Sequence, residues 1–425
     1  MSRVVSRVRA DRFATAWMII ALVVLAIGLL TRGVLPVPLW TMVHVVTLGV
    51  LANAILQWSW YFARTLLHLS ADDRRAGLNN VIRAVTFNVL LVVLFAAMWT
   101  GAAWAAASCA GAVAAVICWH GLDMVLAARH TLATRFVIVI RYYAAASGFL
   151  VLGSIIAGFV AVALVSRHPA GWLVRWQDPL TVAHATANVA GWVGLTMAGT
   201  LITLGPTMMR TRMDPTAVSR ATRGLGWMCA GLLVAVVAAG FDIMAGVGLG
   251  LLVFTVTLGV DVLIPLVNAA RARAPRSVAT WTLAAGVAWT LACLGAVIWH
   301  ALCAGNATAL RAANLGWLPL LGAAGLAQIF IAALTYLMPV VIGGGPAALR
   351  VGMGVLETSW PVRFSVRNTA LLLIAVADDG ATLHVLWWLL VLACYGTDIV
   401  LFALAGVHQA TAKAAALRSR RIDHD

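Results

Sequence analysis

The feature that most constrains this chain is a succession of apolar stretches, each about 20 residues or longer and nearly free of charge, running from Phe13 to about residue 408. A helix needs roughly 20 apolar residues to cross the bilayer core. No water is present there to pair with backbone groups, so only helices and closed barrels span it. Barrel strands alternate polar and apolar residues, and these runs do not. The pattern predicts twelve membrane helices, at about 13–31, 39–66, 82–100, 103–126, 138–165, 179–205, 223–240, 243–269, 277–303, 314–342, 366–378 and 381–408. The third and fourth are separated only by a tight turn near Gly101. The eleventh is the weakest, because Asp378, Asp379 and Gly380 cut it short. With 63% hydrophobic and 10% charged residues, a soluble enzyme, a disordered chain and a collagen-like fibre are excluded.

Net charge is +15, from 29 Lys+Arg against 14 Asp+Glu. In a soluble protein that balance would suggest nucleic acid; in a membrane protein the placement of the charges decides. If both termini are cytoplasmic, 25 of the 29 basic residues fall in inner segments and only Arg32, Arg167, Arg175 and Arg311 fall outside. Cytoplasmic loops carry the excess of Lys and Arg, so the chain is expected in the cytoplasmic membrane with both ends inside and no nucleic-acid partner. The N-terminal Arg-rich run and the apolar stretch Ala16–Leu30 are followed by Thr31-Arg32-Gly33-Val34, without a small-residue cleavage site, and read as a first membrane helix.

Three even-numbered spans look alike. Each runs from outside to inside and carries a glycine at similar depth: Gly49, Gly191 and Gly322. Small residues of this kind let helices approach closely. The chain therefore reads as one polytopic domain of three four-helix units, at about 13–126, 138–269 and 277–408.

Ionisable residues inside a membrane are expensive, and each is a site hypothesis. His44 in span 2, His184 in span 6, His300 at the end of span 9 and His384 at the start of span 12 share one depth, toward the outer face. Neutral imidazole is a ligand for haem iron and copper, and bundle helices are where such ligands converge. A histidine near a helix end can also simply face interfacial water. His44 and His184 are the favoured cofactor ligands because they lie within the repeat, with His300 and His384 as further metal candidates. Cys303, near His300, is a candidate second ligand. Cys118-Trp119-His120 reads as packing, and His68 and His130 as solvated groups bordering inner loops. No span holds a His-His pair, so a complete haem–copper catalytic centre is not supported. Asp261 and Asp398 are the acids most nearly inside the membrane and the candidates for a proton or ion path. There is no C-x-x-C, phosphate-binding loop, dinucleotide fingerprint or catalytic serine triad.

Three stretches carry a family resemblance: His44-Val-Val-Thr-Leu-Gly-Val-Leu-Ala-Asn53, Gly199-Thr-Leu-Ile-Thr-Leu-Gly-Pro206 and Ala333-Leu-Thr-Tyr-Leu-Met-Pro339 with Gly343-Gly-Gly-Pro346. Together they resemble the twelve-helix membrane region of actinobacterial multicopper oxidase and copper nitrite reductase proteins. That region is similar to NnrS-type haem and copper membrane proteins and, more distantly, to subunit I of haem–copper oxidases. The resemblance implies an all-α integral membrane fold with pseudo-threefold four-helix units and a cofactor near the outer face, haem b first and copper second. It also implies a role in electron transfer or in nitric oxide, nitrite or copper metabolism. His44 falls on the family's haem-ligand position. The aligned position in span 6 is Thr186, two residues from His184, and span 10 has Trp317 in place of a ligand. The chain has no cupredoxin domain, so a multicopper oxidase or nitrite reductase partner would be a separate extracytoplasmic chain. Self-association into a homo-oligomer stays open. Two other classes remain: a secondary transporter, built on twelve spans and repeats, and a non-catalytic anchor or assembly subunit.

Overall fold

The computed structural model describes residues 2–31, 33–129, 135–272, 276–377 and 380–422, with side chains from 13 to 417 except at 272, 380 and 381. Arg32, His130, Arg273, Asp378 and Asp379 lie outside the described residues. Helices are the only regular structure among those described. They are α1 (Ser2–Leu30), α2 (Pro38–Leu66), α3 (Leu78–Thr100), α4 (Ala103–Arg129), α5 (Val137–Val165), α6 (Gly171–Met208) and α7 (Ala217–Gly240). There follow α8 (Met244–Arg271), α9 (Val278–Cys303), the short α10 (Ala307–Ala313), α11 (Trp317–Ile342), α12 (Gly345–Leu356), α13 (Trp360–Val376) and α14 (Gly380–Ile422).

Eleven of these helices are long and apolar enough to cross a membrane. Their outward faces are apolar: Val89, Val92, Leu233, Val234, Val237, Leu249 and Val256 are all exposed. In water such surface would be untenable; in lipid it is the required exterior. The chain is an all-helical, multi-pass membrane protein. The eleventh expected span falls on α13, whose 17 residues extend about 25 Å at 1.5 Å per residue, short of the ~30 Å hydrocarbon core. The last helix runs well past the expected end at 408.

Turns follow local chemistry. Gly101 ends α3 in a left-handed conformation (φ 74°), which costs glycine nothing, and α4 begins two residues later. Along the chain, α4 packs on α5, α8 on α9, and α14 returns to α1, so the helices close into a ring. Between α1 and α2, α5 and α6, and α9 and α11, a small residue permits contact. A Cβ on Gly49 would meet Trp17 at 2.6 Å, one on Gly191 would meet Phe149 at 2.6 Å, and one on Gly325 would meet Thr290 at 2.6 Å. The third glycine is therefore Gly325. Gly322, expected from the sequence, has nothing within 4 Å.

The second helices share a further device. The α-helical winding loosens to a π-helix at Val45–Ala52 in α2, Thr186–Gly194 in α6 and Leu321–Leu326 in α11, and also at Gly259–Leu263 in α8. Side-chain amides stitch two of these segments to their neighbours. Trp17 Nε1 donates to Asn88 Oδ1 at 2.7 Å, and Asn88 Nδ2 donates to Asn53 Oδ1 at 2.7 Å. At the other end of the sequence, Trp289 Nε1 donates to Asn368 Oδ1 at 3.1 Å, and Gln328 Nε2 donates to the same oxygen at 3.0 Å.

Candidate functional site

Two of the four candidate histidines meet. His44 immediately precedes the π segment of α2, and His184 lies two residues before that of α6. Their ring centroids are 6.1 Å apart and the ring planes are 18° from parallel. Both side chains are partly buried. π segments recur at functional sites because they break the regular helical register, and here one begins within two residues of each of these histidines.

The protein fixes the protonation of both rings. His44 Nδ1 lies 2.8 Å from the Trp40 carbonyl, and His184 Nδ1 lies 2.9 Å from the Gly153 carbonyl. A carbonyl only accepts, so each Nδ1 carries the hydrogen, and in the neutral ring Nε2 is left with the lone pair. This is the arrangement in which a second group orients a metal-ligating imidazole and raises its basicity. Trp40 stacks on His44 at 4.3 Å between centroids and 18°, closing one face of that ring. Asn188, one turn after His184, places its amide 3.1 Å from the same Nδ1. Because that nitrogen carries the hydrogen, the amide meets it as an acceptor only when turned so that its oxygen faces the ring.

Gly153 makes the carbonyl contact possible. A Cβ there would overlap Asn188. Gly153→Ala is expected to destabilise the fold by about 1–3 kcal/mol, the usual cost of overpacking. It is also expected to lower affinity for any metal on His184 by roughly tenfold, the low end for losing an orienting partner. Thermal unfolding and metal titration of the variant check both.

The other two histidines do not join this pair. His300 Nδ1 donates to Asn314 Oδ1 at 3.0 Å. His384 Nε2 accepts from Trp388 Nε1 at 3.2 Å, so its lone pair is engaged. Cys303 is exposed and unpaired by disulfide. His68 and His168 are exposed. Among the described residues no group of three or more His, Cys, Asp or Glu side chains gathers as a metal site. The candidate centre is therefore a pair of imidazoles.

The membrane acids are each engaged by arginine. Asp261 pairs with Arg223, and Asp398 with both Arg363 and Arg367, the latter at 2.7 Å. Asp123 pairs with Arg83. Arg83, counted in the sequence with the inner flanks, is fully buried. Its guanidinium lies over Trp60 and Trp119, 5.1 and 5.0 Å from the ring centroids, and donates to the Arg75 carbonyl at 2.7 Å. Arg367 lies over Tyr395 at 5.0 Å. Arg83 and Asp123 lie on α3 and α4, Arg223 and Asp261 on α7 and α8, and Arg363, Arg367 and Asp398 on α13 and α14. Asp123, Asp261 and Asp398 stand 138 and 137 residues apart; that recurrence was the available sequence signal for these pairs.

His120, read from the sequence as a packing residue, is fully buried between the edges of Trp60 and Trp192. Its Nε2 lies 3.2 Å from Ser59 Oγ.

No family model matches the chain, and no curated protein matches it.

Proposed function

We propose that this protein is a copper- or haem-binding, twelve-span redox protein of the cytoplasmic membrane, with His44 and His184 as the metal ligands. The observation that carries the reading is the facing imidazole pair with both Nδ1 hydrogens tied to backbone carbonyls. The two rings, 6.1 Å apart between centroids, are the groups that would hold such a metal. Two neutral imidazoles suit copper or haem iron. A structural zinc would call for four ligands, and calcium or magnesium for oxygen. Copper fits the donor set as it stands. Haem requires room for its macrocycle beside these rings, and neither His44 nor His184 lines either of the two cavities described below.

When bound, such a metal supplies one-electron transfer or holds a small ligand. The chain's own work is to orient the rings through Trp40 and Gly153, to keep each Nε2 unprotonated, and to cover His44 with the Trp40 indole. The family its sequence resembles supports a place in nitric oxide, nitrite or copper metabolism, with a separate extracytoplasmic copper reductase as partner.

Twelve spans, counting α13, keep both termini on the cytoplasmic side, as the distribution of basic residues requires. A threefold repeat of four helices is supported by the three arginine-paired aspartates, the π segments in α2, α6 and α11 and the ring-like order of packing. The arginine partners give Asp261 and Asp398 a structural task, and nothing favours a carrier reading over it.

Purified protein tests the proposal. Copper near one equivalent by elemental analysis, or a Soret band, is the expected result. Absence of both from protein produced with copper and haem supplied would overturn it.

A further inference from the structure

A cavity of about 90 Å³ lies among α2, α6 and α11, inward of the histidine pair. We propose that it is a binding site for a dissolved gas, a neutral molecule of two or three heavy atoms. Ile55, Leu204, Phe330 and Leu334 make walls that are almost wholly apolar. An apolar cavity of about 150 Å³ stays dry and takes benzene or xenon; this one, of about 90 Å³, has room for a diatomic.

Water fits poorly. A buried water needs two to four polar partners. Of the hydroxyls lining the cavity, Ser59 is engaged by His120, and Thr200 by Tyr143 at 2.9 Å. Only Thr196 Oγ1 stands buried without a partner, giving an otherwise apolar site one polar contact for a weakly dipolar guest. A second cavity of about 50 Å³, toward α8 and α9, shares Met197, Leu201 and Ile329 with the first. Neither histidine of the proposed metal site lines either cavity, and the inference stands whether or not that site binds metal.

Xenon is the probe. Crystals of the full chain pressurised with xenon are expected to show one anomalous peak in the larger cavity. Leu334→Ala enlarges the space and is expected to raise xenon affinity several-fold, read as a saturable shift in xenon NMR. Ala54→Leu fills it and is expected to abolish the peak. If the filled variant fails to fold, the enlarged one still decides the matter. Ordered water or a lipid acyl chain occupying the cavity, or xenon uptake unchanged in Leu334→Ala, would overturn the proposal.

Discussion

Asp123→Ala is expected to lower the stability of the folded protein by about 3–5 kcal/mol, because it strands the fully buried Arg83. The guanidinium cannot shed its proton, since arginine stays charged in proteins. Its remaining contacts, with two indole faces and the Arg75 carbonyl, hold a charge less well than a carboxylate does. Removing both partners is a different matter. Arg83→Met combined with Asp123→Leu leaves apolar side chains of similar bulk, and such replacements are often neutral or stabilising. The double variant is expected to recover most of the loss. A double-mutant cycle on thermal unfolding in detergent isolates the coupling. Equal damage from the single and double variants would show that packing, not charge, holds α3 to α4. Asp398→Ala strands two arginines, Arg363 and Arg367, and is expected to be the more damaging of the two single changes.

The second large effect falls on the metal. His44→Ala and His184→Ala are each expected to reduce metal affinity by about 100-fold or more, beyond the 10- to 100-fold loss typical for outer-shell partners. With two protein ligands, removing one leaves a single imidazole, so the double variant should be little worse than either single one. That non-additivity marks ligands acting as a unit. His300→Ala and His384→Ala, whose rings are engaged by Asn314 and Trp388, are expected to leave affinity within about twofold. Metal titrations on the four variants give the comparison. A large loss in His384→Ala with none in His44→Ala would place the metal elsewhere.

Much of the fold was legible in the sequence because lipid imposes one rule on every span: long apolar runs must be helices. Gly101 as the turn between α3 and α4 was readable for the same local reason. What stayed hidden depends on residues far apart in the chain. Arg83 looks like a loop-flanking cation until Asp123, 40 residues on, arrives from the next helix to neutralise it. Gly325, not Gly322, meets its neighbour Thr290; both glycines lie in the π segment at Leu321–Leu326, so spacing along the sequence did not distinguish them. The position of His184 was hidden likewise. Sequence alignment puts Thr186 opposite His44, yet the ring of His184 is the one beside it. Trp40 and Gly153, which set the tautomers, contribute through backbone carbonyls, and no side-chain motif announces a carbonyl.

The central claim is that His44 and His184 share one ion, and X-ray absorption at the metal edge addresses it most directly. A nitrogen shell at about 2 Å with the outer-shell scattering of two imidazoles is expected, falling to one or none in His184→Ala. A sulfur shell, or a spectrum unchanged by removal of either histidine, would contradict it.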